Sequence, residues 1–90
     1  MPLRDLEPWH EWLRRESPSD AARSIARTFV AEIGDEPWRS PSVPIDRLSD
    51  QPRYEVRYAE LAVAGEVAVK VWYRHYYATG EVDVIEVTNR

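Results

Sequence analysis

The sequence predicts an α+β fold: an N-terminal αα-hairpin packed on a three-stranded antiparallel β-meander, in one domain spanning residues 1–90. Three observations predict it. Apolar residues in the first third recur at helical spacing. A proline-rich stretch then interrupts all periodicity. From Arg53 onward the period changes to two, broken by two short glycine-containing separators.

The first helix is read over 4–16, "RDLEPWHEWLRRE". Leu6, Trp9 and Leu13 share one face with Trp12 at its border, and Pro8 is tolerated only in the first turn. The second helix, 18–33, carries stronger signals. Ser17 is the expected N-cap, Pro18 the first helical residue, and Asp20 completes a capping-box-like start. Ala22, Ile25, Ala26, Phe29, Val30 and Ile33 form a continuous apolar stripe. Gly34 stands where a left-handed C-terminal cap is expected. The short "SPS" break makes the pair an antiparallel hairpin.

Residues 34–52 read as a connection. "DEPWRSPSVPIDRLSDQP" has four prolines and is expected to be pinned to the core by Trp38, Val43, Ile45 and Leu48. Strands follow at 53–63, 66–77 and 82–88. A two-residue Ala64-Gly65 turn sets Val63 against Glu66, then Tyr58 against Val71, Val56 against Tyr73 and Tyr54 against His75 on an apolar face. The other face then pairs Arg57 with Trp72, Glu55 with Arg74 and Arg53 with Tyr76. A three-residue Thr79-Gly80-Glu81 turn adds Ile85 and Val87 to the apolar face. It also completes a Glu55–Arg74–Glu86 ladder on the polar one.

Composition narrows the function. The net charge is −4, from 12 basic and 16 acidic residues, so the basic footprint of a nucleic-acid binder is missing. There are no cysteines, which suits a reducing cytoplasm. No apolar run reaches the roughly 20 residues of a membrane span. The two histidines, His10 and His75, lack metal-ligand spacing, and no glycine-rich phosphate loop is present, so no metal or cofactor is expected. His75 falls on the apolar strand face, as a hydrogen-bonded histidine at the core's edge.

What remains is the polar sheet face: Arg53, Arg57, Lys70, Trp72, Arg74 and Tyr76. A protein-binding surface is the favoured reading, because a large aromatic such as Trp72 on an open face generally meets something. A plain solvated face and an RNA-binding stripe are the alternatives.

Stretches of the chain resemble the ParE/RelE superfamily of bacterial toxins. "LRDLEPWHEWLRRESPSDAARSIARTFVAEIGDEP" is similar to that family's helical hairpin. "RYEVRY", "VKVWYRHYYATGEVDVIEV" and the terminal "TNR" are similar to its closing strands. The resemblance implies a toxin of a type II toxin–antitoxin module, held by an antitoxin that wraps it with a helix or strand. It implies either a ParE-like poison of DNA gyrase or a RelE-like endonuclease that cleaves ribosome-bound mRNA. For the nuclease the candidate residues are Lys70, Arg74 and Tyr76; for binding, Arg90 at the end joins the six face residues. Two departures weigh toward a non-catalytic member: Met1-Pro2-Leu3 is too short to supply the family's opening strand, and the chain stops at Arg90, without the residues that follow the last strand. A third reading keeps the fold as a non-toxic interaction or dimerisation module. A sheet lacking its opening strand has a bare edge, so a partner strand or a second copy is expected to cover it.

Overall fold

A computed structural model describes residues 3–39, 41–45 and 53–89. Five strands and two helices follow in the order β1 (Leu3–Asp5), α1 (Glu7–Glu16), α2 (Asp20–Asp35), β2 (Val43–Pro44), β3 (Tyr54–Val63), β4 (Glu66–Tyr76) and β5 (Val82–Thr88). They build one sheet in the order β1-β5-β4-β3-β2, in which β1 runs parallel to β5 and every other pair is antiparallel. The α+β architecture is as predicted, with the hairpin on one sheet face: α1 lies along β5, α2 across β3 and β4. Among the described residues no helix is long and apolar enough to cross a membrane.

The expected missing strand is present. Leu3–Asp5 pairs beside β5, so α1 starts at Glu7, not at residue 4. That edge of the central meander is covered by this chain itself. Two-residue β2 lies on the opposite edge, against Arg57 and Tyr58.

The helices differ from expectation in their caps. Ser17 adopts a left-handed conformation (φ 45°) and turns the chain out of α1. Ser19 is the N-cap of α2, its Oγ accepting from the Ala22 amide at 3.2 Å. Gly34 stays helical and buried within α2, which ends at Asp35. The apolar stripe of α2 does face the core, through Ala22, Ala26, Phe29, Val30 and Ile33. On α1 the emphasis inverts: Trp12 is fully buried, while Leu6, Trp9 and Leu13 pack around the core margin.

α1 is bolted to the end of β5. Trp12 Nε1 donates to Asn89 Oδ1 at 2.8 Å. Glu16 accepts from the Thr88 hydroxyl, the Asn89 amide and Arg15 at 2.9, 2.9 and 2.8 Å. Burial alone would raise the Glu16 carboxyl, but these donors outweigh it and hold it below the usual range. A lowered carboxyl stabilises the fold above its unfolded pKa, and that contribution is lost as pH falls through the folded value. Urea unfolding should therefore show Glu16→Ala costing about 2 kcal/mol near neutrality. The gap between the two proteins should shrink in acid below the ordinary carboxylate range.

The sheet's register departs from the expected one after two pairs. Val63 faces Glu66 and Ala62 faces Val67, but Leu61 then faces Val69, so Ala68 is an extra residue in β4. Beyond the bulge, Tyr58 faces Trp72, Arg57 faces Tyr73, Val56 faces Arg74, Glu55 faces His75 and Tyr54 faces Tyr76. The one-residue slip exchanges the two faces of β3. Ala59 and Leu61 enter the core with Val69, Val71 and Tyr73, and Tyr54, Val56 and Tyr58 turn to the other side.

A second bulge falls between β4 and β5. Trp72 faces Glu86 but Tyr73 faces Val84, leaving Ile85 as the extra residue. Val82, Val84 and Val87 fill the core, not the expected pair Ile85 and Val87. The Glu55–Arg74–Glu86 ladder does not form: Arg74 lies between Val56 and Asp83. The turn is longer than three residues, running from Tyr77 to Glu81 and closed by the Tyr76 amide on the Glu81 carbonyl at 2.9 Å.

Ala64 and Gly65 both have positive φ, 54° and 84°, as a tight primed hairpin turn requires. An L-residue in this region is strained by roughly 1–2 kcal/mol. Ala64→Gly should raise stability by about 0.5 kcal/mol after the added chain entropy of glycine is subtracted, read as a higher urea midpoint.

The connection is anchored by other residues than those expected. Trp38 and Val43 are exposed, Ile45 is half-buried, and Leu48 lies outside the described residues. The Tyr73 hydroxyl donates to the Pro37 carbonyl, and Arg57 grips Ser42.

Candidate functional site

The helices cover one sheet face, and the bulges decide what the other presents. Residues directly opposite on neighbouring strands share a face, so three rows run across it: Val43–Tyr58–Trp72–Glu86, Val56–Arg74–Asp83 and Tyr54–Tyr76. Glu60 and Lys70 form a fourth pair beside the first row. The Tyr58 and Trp72 rings stand 4.6 Å apart at 37°, and Tyr54 and Tyr76 stand 5.3 Å apart. The Arg74 guanidinium lies 5.6 Å from the centre of the Tyr54 ring.

Polar atoms at the rim of the aromatics are engaged. Tyr76 donates to Asp83 Oδ2 at 2.9 Å, and Tyr58 to Glu60 Oε2 at 2.7 Å. Burial, then the hydrogen bond and negative charge of Glu60, push the Tyr58 phenol up to about 12. The face is thus a preorganised aromatic surface with mixed charge, not a basic stripe.

Of the residues expected on this face, Lys70, Trp72, Arg74 and Tyr76 are brought together. Arg57 is not: it is only 8% exposed, on the helix side of the sheet. Arg53 is exposed just ahead of β3, and Arg90 lies outside the described residues. Lys70, Arg74 and Tyr76 do not converge as a nuclease centre. Lys70 and Arg74 are separated by about 13 Å of strand at roughly 3.3 Å per residue, Arg74 is laid on Tyr54, and Tyr76 is bound to Asp83.

A second cluster, which the sequence reading scattered over two faces, forms at the helix side of β3 and β4. Glu55 Oε1 accepts from Arg57 at 3.1 Å and lies 3.4 Å from His75 Nδ1. Arg57 also donates from Nε to the Ser42 hydroxyl and from a terminal nitrogen to the Ser42 carbonyl, each at 3.0 Å. His75 is flanked by Trp38 and Tyr77, with ring centres 6.1 and 5.9 Å away. Those two aromatics are 61% and 53% exposed. His75 is thus the hydrogen-bonded histidine at the core's edge that its strand position predicts. The signal for the cluster was the shared odd numbering of Glu55, Arg57, Tyr73 and His75. Sorting β3 by polarity alone hid it.

Among the described residues, no three His, Asp or Glu side chains are grouped so that they could hold a metal ion. Comparison with protein-family models, curated proteins and solved structures returns no match for this chain.

Proposed function

We propose that this chain is a toxin-like protein of the ParE/RelE type that acts in the cytoplasm by binding another protein and is neutralised by an antitoxin partner. The observation that carries this reading is the open sheet face, where Tyr58, Trp72, Tyr54 and Tyr76 stand in two ring pairs with neither α1 nor α2 over them. Rigid aromatics beside an arginine are the usual anchors of a protein interface. The mixture of Lys70 and Arg74 with Glu60, Asp83 and Glu86 suits a protein surface better than a polyanion. The element order supports the family resemblance, because Leu3–Asp5 supplies the opening strand whose lack had counted against it. A gyrase-directed action is the ParE-like form of this reading.

A second reading, a metal-free ribosome-dependent endonuclease, is favoured by the Glu55–Arg57–His75 cluster. A carboxylate that orients an imidazole, with Arg57 fixing the carboxylate, is an acid–base arrangement. Exposed Trp38 and Tyr77 could stack bases beside it.

Inducible expression in a bacterial host separates the readings. The binding account expects growth arrest with messenger RNA intact in the first minutes, relieved by co-expression of a cognate antitoxin. Rapid loss of translated messages would replace it with the nuclease. Unimpaired growth at high expression would leave only a non-toxic interaction module.

A further inference from the structure

The groove between the two helices is apolar but for a single cation. Leu6 and Trp9 stand one turn apart at the start of α1, and Arg27, Val30 and Ala31 share a face of α2. Together they line a cavity of about 190 Å³. Val30 is buried, Leu6 and Trp9 are half-buried, and Arg27 and Ala31 are exposed. Trp9 packs on the fully buried Trp12 with ring centres 5.3 Å apart and planes tilted by 57°. Its indole is therefore in position before any ligand arrives.

Arg27 stands apart from the other arginines of these helices. Arg14 is paired with Glu7 at 3.0 Å, Arg15 with Glu16 at 2.8 Å, and Arg23 with Asp20. Arg27 meets no carboxylate among the described residues. Its neighbours a turn away on α2, Arg23, Ser24, Val30 and Ala31, offer no negative charge. An unpaired guanidinium beside an otherwise apolar cavity complements an anion that carries an apolar body.

Size narrows the choice of anion. An apolar cavity of about 150 Å³ takes benzene, so this one holds a single six-membered ring and leaves room for a short arm to the guanidinium. Phosphate and sulfate have no apolar part to fill it. A folded protein partner needs about 800 Å² on each side, far more than these five residues offer. We propose that this interhelical groove binds a small free arylalkanoic acid, its ring against Trp9 and Val30 and its carboxylate on Arg27. The site shares no residue with the open sheet face or the Glu55–His75 cluster, and it stands independently of the proposed function.

The probe is phenylpropionate, with phenylpropylamine as the same body bearing the opposite charge and acetate as the charge without the body. Each is titrated into the full chain and followed by backbone amide and indole NMR signals. The acid should shift the Trp9 indole and the Val30 and Ala31 amides, and should bind roughly tenfold or more tightly than either control. Arg27→Gln keeps a good helix former at an exposed position and should erase the preference for acid over amine. Ala31→Leu fills the groove from its exposed side and should weaken binding of the acid roughly tenfold. Should one variant unfold, the other decides. Equal affinity for acid and amine overturns the proposal, as does full affinity in either folded variant. Absence of binding at roughly 10 mM acid overturns it as well. Tighter binding of a peptide ending in phenylalanine than of the free acid overturns it in favour of a protein C-terminus.

Discussion

Trp12→Ala should lower the free energy of unfolding by about 3–5 kcal/mol, the largest loss expected from any single truncation in this chain. Trp12 is fully buried and has the greatest volume among the fully buried side chains. It fills the space between α1 and β5, with Trp9 5.3 Å away. Its indole nitrogen holds Asn89 just beyond the last strand. Small domains are stable by roughly 5–15 kcal/mol, so alanine here removes a large fraction of the total. Trp12→Phe separates volume from hydrogen bonding: it keeps most of the apolar contact and should cost about 1–2 kcal/mol. Urea unfolding of the three proteins at neutral pH measures both, and a loss below about 1 kcal/mol for alanine would mean that Trp12 is not the centre of the core.

Arg57→Ala should cost about 3 kcal/mol, because it strips a buried cation from a carboxylate that stays behind. Among the described residues Glu55 would keep only His75, and both Ser42 contacts, which tie the connection to the sheet, would be lost. The register expected from the sequence places Arg57 on the open face beside Trp72, where truncation typically costs less than about 0.5 kcal/mol. The same unfolding measurement therefore tests the bulge at Ala68. A small effect would restore the unbulged register and return Arg57 to the open face.

What the sequence makes legible and what it hides follow from different ranges of interaction. The stripe of α2 and the strand limits at Val63, Glu66, Val82 and Thr88 depend on neighbours a few residues apart, and these agree with the structure. The hairpin turn at Ala64-Gly65 is equally local. The register is not. In "YEVRYAELAV" both parities carry apolar residues, Val56 and Tyr58 on one, Ala59 and Leu61 on the other. The choice is made by what fits beneath α2, where Ala59 and Leu61 join Val69, Val71 and Tyr73. A bulge of one alanine then moves every later pair without leaving a mark in the residue pattern. The opening strand has three residues, too few for any period to register, and exists through its pairing with β5. The candidate face was half legible. β4 was unaffected by the slip and kept Lys70, Trp72, Arg74 and Tyr76 together, whereas β3 exchanged Arg57 for Tyr54 and Tyr58.

The proposed function assigns partner binding to the open aromatic face and not to the Glu55–His75 cluster. The most direct measurement is growth after equal induction of wild type, Trp72→Ala and His75→Ala, each verified as folded by circular dichroism. Truncating an aromatic anchor in a protein interface typically costs about 2 kcal/mol or more, roughly thirtyfold in affinity. On the proposed toxin reading the wild type arrests growth, Trp72→Ala should restore it, and His75→Ala should arrest it like the wild type. Arrest by Trp72→Ala together with normal growth of His75→Ala would contradict the account and move the function to the imidazole.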